Sequence, residues 1–291
     1  MRLNVIPFVV LLLMVCIVHV EAQNRPPQNV RRVIVTSRYD IQDGKRTINS
    51  RAIMQEIKDS LDRIHTILFR DYETQQVYRH IWHTFEGRQI VRTDEFVDEK
   101  LFRYSLFTYT PDSLIASQRV YLVTPGDTVH YVTLLFKYQN RLPIQVDATN
   151  SRGKRVYRTK SVFDANGTEI LRKVKTTKGY TPIDSIMSLT SYPVYDSLGR
   201  KVTETISKTY SDSKNEVKTY KYEYNQKNLR SAIEEFDQFG NLVTRTTFDY
   251  NDKGMLKFIS IFNSEGKLID YQAKRYELYP SPDRRKQIIE Y

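Results

Sequence analysis

The sequence predicts a mainly β protein: an antiparallel meander of repeated β-hairpins forming an open or curved sheet, with one N-terminal amphipathic helix. Two observations predict the sheet. After about Tyr78, runs of Tyr, Phe, Thr, Val and Ile alternate with Asp, Asn, Ser and Gly, and a turn-centred segment recurs 26 residues further on. A third observation, apolar residues at helical spacing between positions 49 and 69, predicts the helix.

The first 22 residues have the pattern of a cleavable secretory signal peptide. An apolar run from Val5 to Val18 follows Arg2, and the small-residue cleavage pattern Val20-Glu21-Ala22 comes after it. This run is shorter than the roughly 20 residues that a membrane-spanning helix needs, so we expect cleavage and no retained transmembrane helix. We therefore expect an exported protein of the periplasm, the outer membrane surface or the extracellular space.

The rest of the chain divides by composition into four further segments. We expect a disordered leader at 23–30, a strand and helix-bearing segment at 31–100, a β-hairpin repeat domain at 101–278 and a basic tail at 279–291. Arg31 to Thr36 is a candidate first strand. The boundary near residue 100 rests only on the helix preceding the hairpins.

The predicted helix begins near Asn49-Ser50 and ends near position 69. Its apolar face is formed by Ile53, Met54, Ile57, Leu61, Ile64, Ile67 and Leu68. Its other face carries Arg51, Glu56, Lys58, Asp62 and Arg63. An amphipathic helix of this kind is expected to pack one side against the sheet.

The repeat consists of an aromatic residue, Asp or Asn, a few polar residues, usually Gly, and then an aliphatic residue. Phe236 to Leu242 recurs as Phe262 to Leu268, and Tyr224-Asn225 recurs as Tyr250-Asn251. We expect the aromatic residue to end a strand on the buried face, Asp or Asn to cap the turn, and Gly to supply the positive φ. Looser copies begin at Tyr195, Phe163 and Phe85.

Tyr195-Asp196 through Gly199-Arg200 and Phe236-Asp237 through Leu242 resemble the tyrosine-aspartate repeats of the Rhs family. They are also similar to the shorter MORN-like hairpin repeats found in exported proteins of Bacteroidetes. The resemblance covers about residues 100 to 275 and implies a structural or surface role. In large Rhs proteins such repeats form a shell around a toxin, and this chain is too short for such a shell.

Five Asp, Ser or Thr, aliphatic triplets resemble the sites that are glycosylated in exported Bacteroidetes proteins. The same residues also describe an ordinary turn leading into a strand, so both interpretations stay open. The triplets are Asp59-Ser60-Leu61, Asp112-Ser113-Leu114, Asp127-Thr128-Val129, Asp184-Ser185-Ile186 and Asp196-Ser197-Leu198.

Charge and cysteine content limit the possible partners and chemistry. The chain has a net charge of +11, and its only cysteine is Cys16, within the signal peptide. Loss of Cys16 excludes disulfides, thiolate catalysis and Cys-ligated zinc in the mature chain. An exported basic protein rarely meets nucleic acid, so we expect none as a partner. An anionic glycan, an envelope lipid or an acidic surface protein is the expected counter-charge, although scattered Lys and Arg could simply keep the sheet soluble.

The sequence contains few patterns typical of catalytic or metal-binding sites. We therefore expect that the protein is not an enzyme and has no cofactor and no metal site. His80 and His83 would share a face in a helix but point to opposite faces in a strand. No Glu between them completes a zinc hydrolase motif. Carboxylate neighbours such as Asp94-Glu95, Asp98-Glu99 and Glu234-Glu235 are expected to be solvated turn and edge charges.

Two hypotheses about function follow. The first is a structural or interaction protein that uses a repeat β-sheet surface to bind a glycan or protein. The alternative is an envelope lipid or lipoprotein carrier whose curved sheet encloses an apolar ligand. The concave face of the sheet should discriminate between them: aliphatic side chains favour carriage, whereas charged and tyrosine side chains favour surface binding.

Overall fold

The computed structural model describes residues 30–177, 185–280 and 287–288. The predicted signal peptide, most of the predicted leader and most of the predicted basic tail lie outside the described residues. The described elements are all β-strands: β1 (Val30–Gln42), β2 (Lys45–Lys58), β3 (Ile64–Arg70), β4 (Val77–Glu86), β5 (Gln89–Val97), β6 (Lys100–Tyr109), β7 (Ile115–Thr124), β8 (Asp127–Gln139), β9 (Leu142–Thr149), β10 (Arg155–Phe163), β11 (Glu169–Thr176), β12 (Ile186–Tyr195), β13 (Lys201–Tyr210), β14 (Asn215–Tyr224), β15 (Arg230–Phe236), β16 (Leu242–Tyr250), β17 (Leu256–Asn263), β18 (Leu268–Pro280) and the two-residue β19 (Gln287–Ile288).

The strands β1 to β18 form a closed antiparallel barrel. Each strand pairs with the next along the chain, and β1 pairs both with β2 and with β18. In the closing pair, Ile34 lies opposite Tyr276, and in the first hairpin it lies opposite Glu56. The prediction of a hairpin meander is therefore correct, but the prediction of an open or curved sheet is wrong.

The predicted N-terminal helix is also wrong. Its residues form β2, a turn at Asp59 to Arg63, and β3. The Asp59 carboxylate accepts hydrogen bonds from the backbone N–H groups of Leu61 and Arg63, at 2.9 and 3.1 Å, so it stabilises a turn where a helix would need to continue. The apolar positions matched a helical period only because two strands and their turn were counted as one element.

A five-residue turn recurs around the barrel and explains the repeat in the sequence. In the example at Asn251, its Oδ1 accepts the N–H groups of Lys253 and Met255 at 3.1 and 2.9 Å, and its own N–H donates to the Met255 carbonyl at 2.9 Å. Gly254 supplies the positive φ, 77°. The same paired side-chain contacts occur at Asp59, Asn150, Asp164, Asp196, Asn225, Asp237 and Asn263.

The two faces of the barrel differ in burial. Cross-strand partners share a face, so Ile34, Glu56, Ile67, Ile81 and Glu95 form one row across β1 to β5. All five are buried, as expected for the inner face of a closed sheet, where side chains converge. We call this the inner face. The outer face carries several large apolar side chains that are exposed, among them Trp82, Leu135, Val162, Tyr192 and Val194.

The apolar core lies on the inner face of β7 to β11. It consists of Val120, Val132, Leu134, Ala148, Val156 and Tyr157, with Phe136, Val146 and Val174 packed against them. All of these residues come from adjacent strands, and within the described chain no Cα atom lies within 8 Å of a strand on the far side of the ring. The barrel thus encloses a lumen, in keeping with its large number of strands.

Candidate functional site

The inner face of β4 to β6 carries a triad of charged side chains. Glu95 is buried, accepts a hydrogen bond from Arg103 Nε and forms an ion pair with Arg79, whose Nε lies 2.7 Å from the carboxylate. The Arg79 guanidinium also lies over the Phe69 ring, 5.1 Å from its centroid. Both arginines come from strands next to β5, so this triad ties three neighbouring strands together.

A second inner-face cluster surrounds Glu204 on β13. Its carboxylate accepts from Ser191 Oγ at 2.6 Å and Tyr222 Oη at 3.0 Å, and it pairs with Lys201 Nζ at 2.9 Å. Burial alone would raise the pKa of Glu204, but the hydrogen bonds from Ser191 and Lys201 outweigh it and hold the pKa below its ordinary value. The carboxylate is therefore an ionised cross-link between strands whose hydrogen-bonding capacity is used within the protein.

Tyrosines on the inner face mark one rim of the barrel. Each lies in an even-numbered strand and donates its hydroxyl to the backbone carbonyl near the start of the preceding strand. Tyr224 donates to Lys201 at 2.8 Å and Tyr250 donates to Arg230 at 2.9 Å. Tyr109, Tyr138 and Tyr276 make the equivalent bonds to Ile90, Ile115 and Leu256. For Tyr224 and Tyr250, which precede Asn225 and Asn251, these bonds give the repeated aromatic residue a structural role.

The two histidines considered as metal ligands lie on opposite faces of β4. His80 stacks on Phe96 on the outer face, with ring centroids 4.2 Å apart. His83 is 5 % exposed on the inner face, and its Nδ1 lies 2.9 Å from Thr93 Oγ1. Burial, with a smaller contribution from His65, lowers the pKa of His83 to about 4. Within the described ranges, no group of three or more His, Cys, Asp or Glu side chains could hold a metal ion.

The outer face of β8 to β11 carries a cluster of exposed lysines that sequence analysis did not single out. We call Lys137, Lys160, Lys173 and Lys175 the lysine band. Lys137, Gln145, Lys160 and Lys173 form one cross-strand row, and Lys175 belongs to the adjacent row, opposite Arg158. The signal was readable from the hairpin turn at Asp164 to Gly167, because pairing outward from that turn brings lysines opposite each other.

Lys160 and Lys173 differ from other like-charged neighbours in the barrel. Arg38 lies opposite Arg51, but Asp270 and Glu73 neutralise them at 2.7 and 2.6 Å. Arg158, opposite Lys175, pairs with Asp147 at 2.5 Å. For Lys160 and Lys173 the described strands supply no carboxylate within ion-pair distance. Like charges directly opposite each other destabilise a sheet, so this pair is candidate functional chemistry.

The fold places the protein in the class of closed antiparallel β-barrels, and comparison with known proteins does not narrow this class. No protein-family model and no curated protein matches the sequence. Among solved structures, the chain is similar to a porin-like protein from Bacteroides uniformis, with 7% identity, a TM-score of 0.39, and coverage of 88% of this chain and 99% of that one. A porin-like protein from Bacteroides vulgatus gives 9% identity, a TM-score of 0.33, and coverage of 86% and 98%.

The chain is also similar to TcdB2-TccC3 without its hypervariable C-terminal region, at 10% identity and a TM-score of 0.28. That match covers 86% of this chain but only 20% of the other. All three TM-scores are below 0.5, so the likeness assigns no function. No family match supports the resemblance to tyrosine-aspartate or MORN-like repeats. In the described part of the chain, no helix is long and apolar enough to cross a membrane.

Proposed function

We propose that the protein is an exported, non-enzymatic barrel of the cell envelope that binds an anionic partner through the lysine band on its outer face. The observation that carries the proposal is the opposition of Lys160 and Lys173 without a neutralising carboxylate. A bound anion would remove the repulsion between the two ammonium groups and would pair with both.

Protection of a strand edge does not explain these lysines. Charged residues often prevent an exposed edge from pairing with another chain. Here β10 pairs with β9 on one side and β11 on the other, and β11 pairs with β12. Lys160 and Lys173 therefore lie on a part of the barrel wall that is paired on both sides, where no edge needs protection.

The composition of the inner face favours surface binding over enclosure of an apolar ligand. Glu56, His83, Glu95 and Glu204 are buried there among tyrosines and arginines. The aliphatic side chains of the inner face are largely packed against one another on β7 to β11. Little apolar surface is left to receive a ligand, which by the criterion set out above supports the interaction hypothesis.

The test compares binding of the mature protein to dextran sulfate, a soluble polyanion, for matched pairs of substitutions. Lys160→Gln with Lys173→Gln should weaken binding about tenfold or more and should reduce its salt dependence. Lys100→Gln with Lys214→Gln removes the same charge from two exposed positions outside the band and should change affinity little.

Equal losses in the two double variants would show that only net charge matters and would contradict the proposal. Native mass spectrometry of the protein purified from its own envelope gives a second test. Lipid that is released only on denaturation would favour an enclosed ligand and would count against the proposal.

A further inference from the structure

Exposed apolar side chains lie beside the lysine band, at the rim of the barrel formed by the ends of β10 and β12. Val162 is 49% exposed, Tyr192 66%, Val194 55%, and Leu198, at the tip of the β12–β13 turn, 66%. We call these four residues the rim patch. Adjacent large apolar side chains with this exposure are uncommon on a protein surface unless they contact something.

The strand register makes the rim patch and the lysine band continuous. Val162 lies opposite Leu171, and Leu171 lies opposite Thr190, two residues before Tyr192. The next row on the same face contains Lys160 and Lys173. Two residues of an extended strand span about 7 Å. The row of Lys160 and Lys173 therefore lies about 7 Å from the row of Val162 and Leu171, on the side away from the rim.

The carboxylates at this rim are occupied. Asp196 pairs with Arg200 at 2.7 Å, and Asp164 accepts the Tyr195 hydroxyl at 2.6 Å. Glu169 pairs with Arg172 at 2.6 Å. The surface that the rim patch and the lysine band present is consequently apolar at its tip and cationic behind the tip.

We infer that this surface docks on an anionic lipid membrane, with the rim patch entering the interface and the lysine band contacting lipid phosphates. Tyrosine and aliphatic side chains partition into the membrane interface, and lysines set back from them meet the headgroups. The lysine row lies about 7 Å behind Val162 and about 13 Å behind Tyr192 along the strands. An anionic polysaccharide would use the lysines but would leave Val162, Val194 and Leu198 in water. This inference rests on the proposed function and specifies its partner.

The experiment measures sedimentation of the mature protein with vesicles containing phosphatidylglycerol and with vesicles of pure phosphatidylcholine. Binding is expected only to the anionic vesicles and should fall with added salt. Tyr192→Ser combined with Leu198→Ser should weaken vesicle binding about tenfold or more, because two apolar side chains leave the interface, while dextran sulfate binding should stay unchanged.

The turn at Asp59 provides a matched control. Asp59-Ser60-Leu61 repeats Asp196-Ser197-Leu198, and Leu61 is 60% exposed at the same rim, between β2 and β3 on the far side of the ring. Leu61→Ser should leave vesicle binding intact. The single variant Leu198→Ser is measured beside it. If Leu61→Ser weakened vesicle binding as much as Leu198→Ser does, the assignment of the membrane contact to this side of the barrel would be overturned.

The other outcomes separate this inference from the proposed function. Binding to dextran sulfate that depends on Lys160 and Lys173, without binding to anionic vesicles, would overturn the membrane inference and leave the anion-binding proposal standing. Binding to neither probe would overturn both.

Discussion

Lys160 and Lys173 lie directly opposite each other on β10 and β11, on the outer face of a closed barrel, with no described carboxylate to neutralise them. Several other facing pairs are complementary, such as Lys221 with Glu234 and Lys208 with Glu216, and the like-charged Arg38 and Arg51 each pair with a carboxylate. The contrast indicates that this position is kept cationic at a cost in stability, which is common at functional sites.

The recurring turn can be tested at Asn251. Removing its side-chain acceptor in Asn251→Ala should lower the free energy of unfolding by about 1 kcal/mol, because the N–H groups of Lys253 and Met255 lose their partner. Asn251→Asp keeps an oxygen at the same place, as Asp237 does in the equivalent turn, and should cost less. Urea unfolding measures both; equal losses would show that the side-chain acceptor is unimportant.

The tyrosine hydroxyls at the rim should contribute measurably to stability. Tyr224→Phe removes the hydrogen bond to the Lys201 carbonyl and should cost about 1 kcal/mol in urea unfolding. Tyr192→Phe is the control, because that side chain is largely exposed on the outer face. If Tyr224→Phe and Tyr192→Phe were equally stable, the rim bonds would not stabilise the barrel.

Stability should depend on pH through His83. Because burial lowers the pKa of His83 to about 4, the unfolded chain, with a pKa near 6.5, binds more protons between these values. The stabilisation is fully present above about pH 6.5 and is lost as the pH falls toward 4. Its size is on the order of 3 kcal/mol.

Urea unfolding of His83→Gln across this range checks the prediction. The variant should have a flatter stability profile between pH 6.5 and 4. A profile with the same slope as the parent protein would assign the pH dependence to other groups. The buried carboxylate of Glu204, whose pKa is lowered, acts in a more acidic range: its stabilisation is lost as the pH falls through its folded pKa.

The local chemistry of the hairpins could be predicted from sequence. The repeats at Tyr224 and Tyr250 correctly placed a strand end before each turn, and Gly254 has the expected positive φ. The aromatic residue was predicted to face inward at every turn, which holds for these tyrosines. It is wrong for Phe236, which lies opposite Thr219 on the outer face.

Closure of the barrel could not be predicted. The pairing of β1 with β18 joins residues more than two hundred positions apart, such as Ile34 and Tyr276, and no local pattern encodes such a contact. The helix was predicted wrongly because periodicity was given more weight than turn chemistry. Comparison of Asp59-Ser60-Leu61 with Asp196-Ser197-Leu198 would have identified the turn, although Asp62 stands where Gly199 stands in the other copy, with φ of 61° and 73°.

The candidate site was missed for a related reason. Composition showed an excess of positive charge, but only the strand register shows which lysines face each other. Pairing outward from the turn at Asp164 places Lys160 opposite Lys173 and Arg158 opposite Lys175. The register also separates these outer residues from inner ones such as Arg172 and Thr159, which alternate with them in the sequence.

The most direct measurement is made on Lys173→Glu, which converts the opposed lysines into an ion pair. If the lysine band is kept for binding an anion, this variant should unfold at higher urea, with a gain of roughly 0.2–1 kcal/mol, and should bind dextran sulfate about tenfold more weakly or worse. A more stable protein with unchanged affinity would contradict the proposed site, as would a variant that is less stable than the parent and binds equally well.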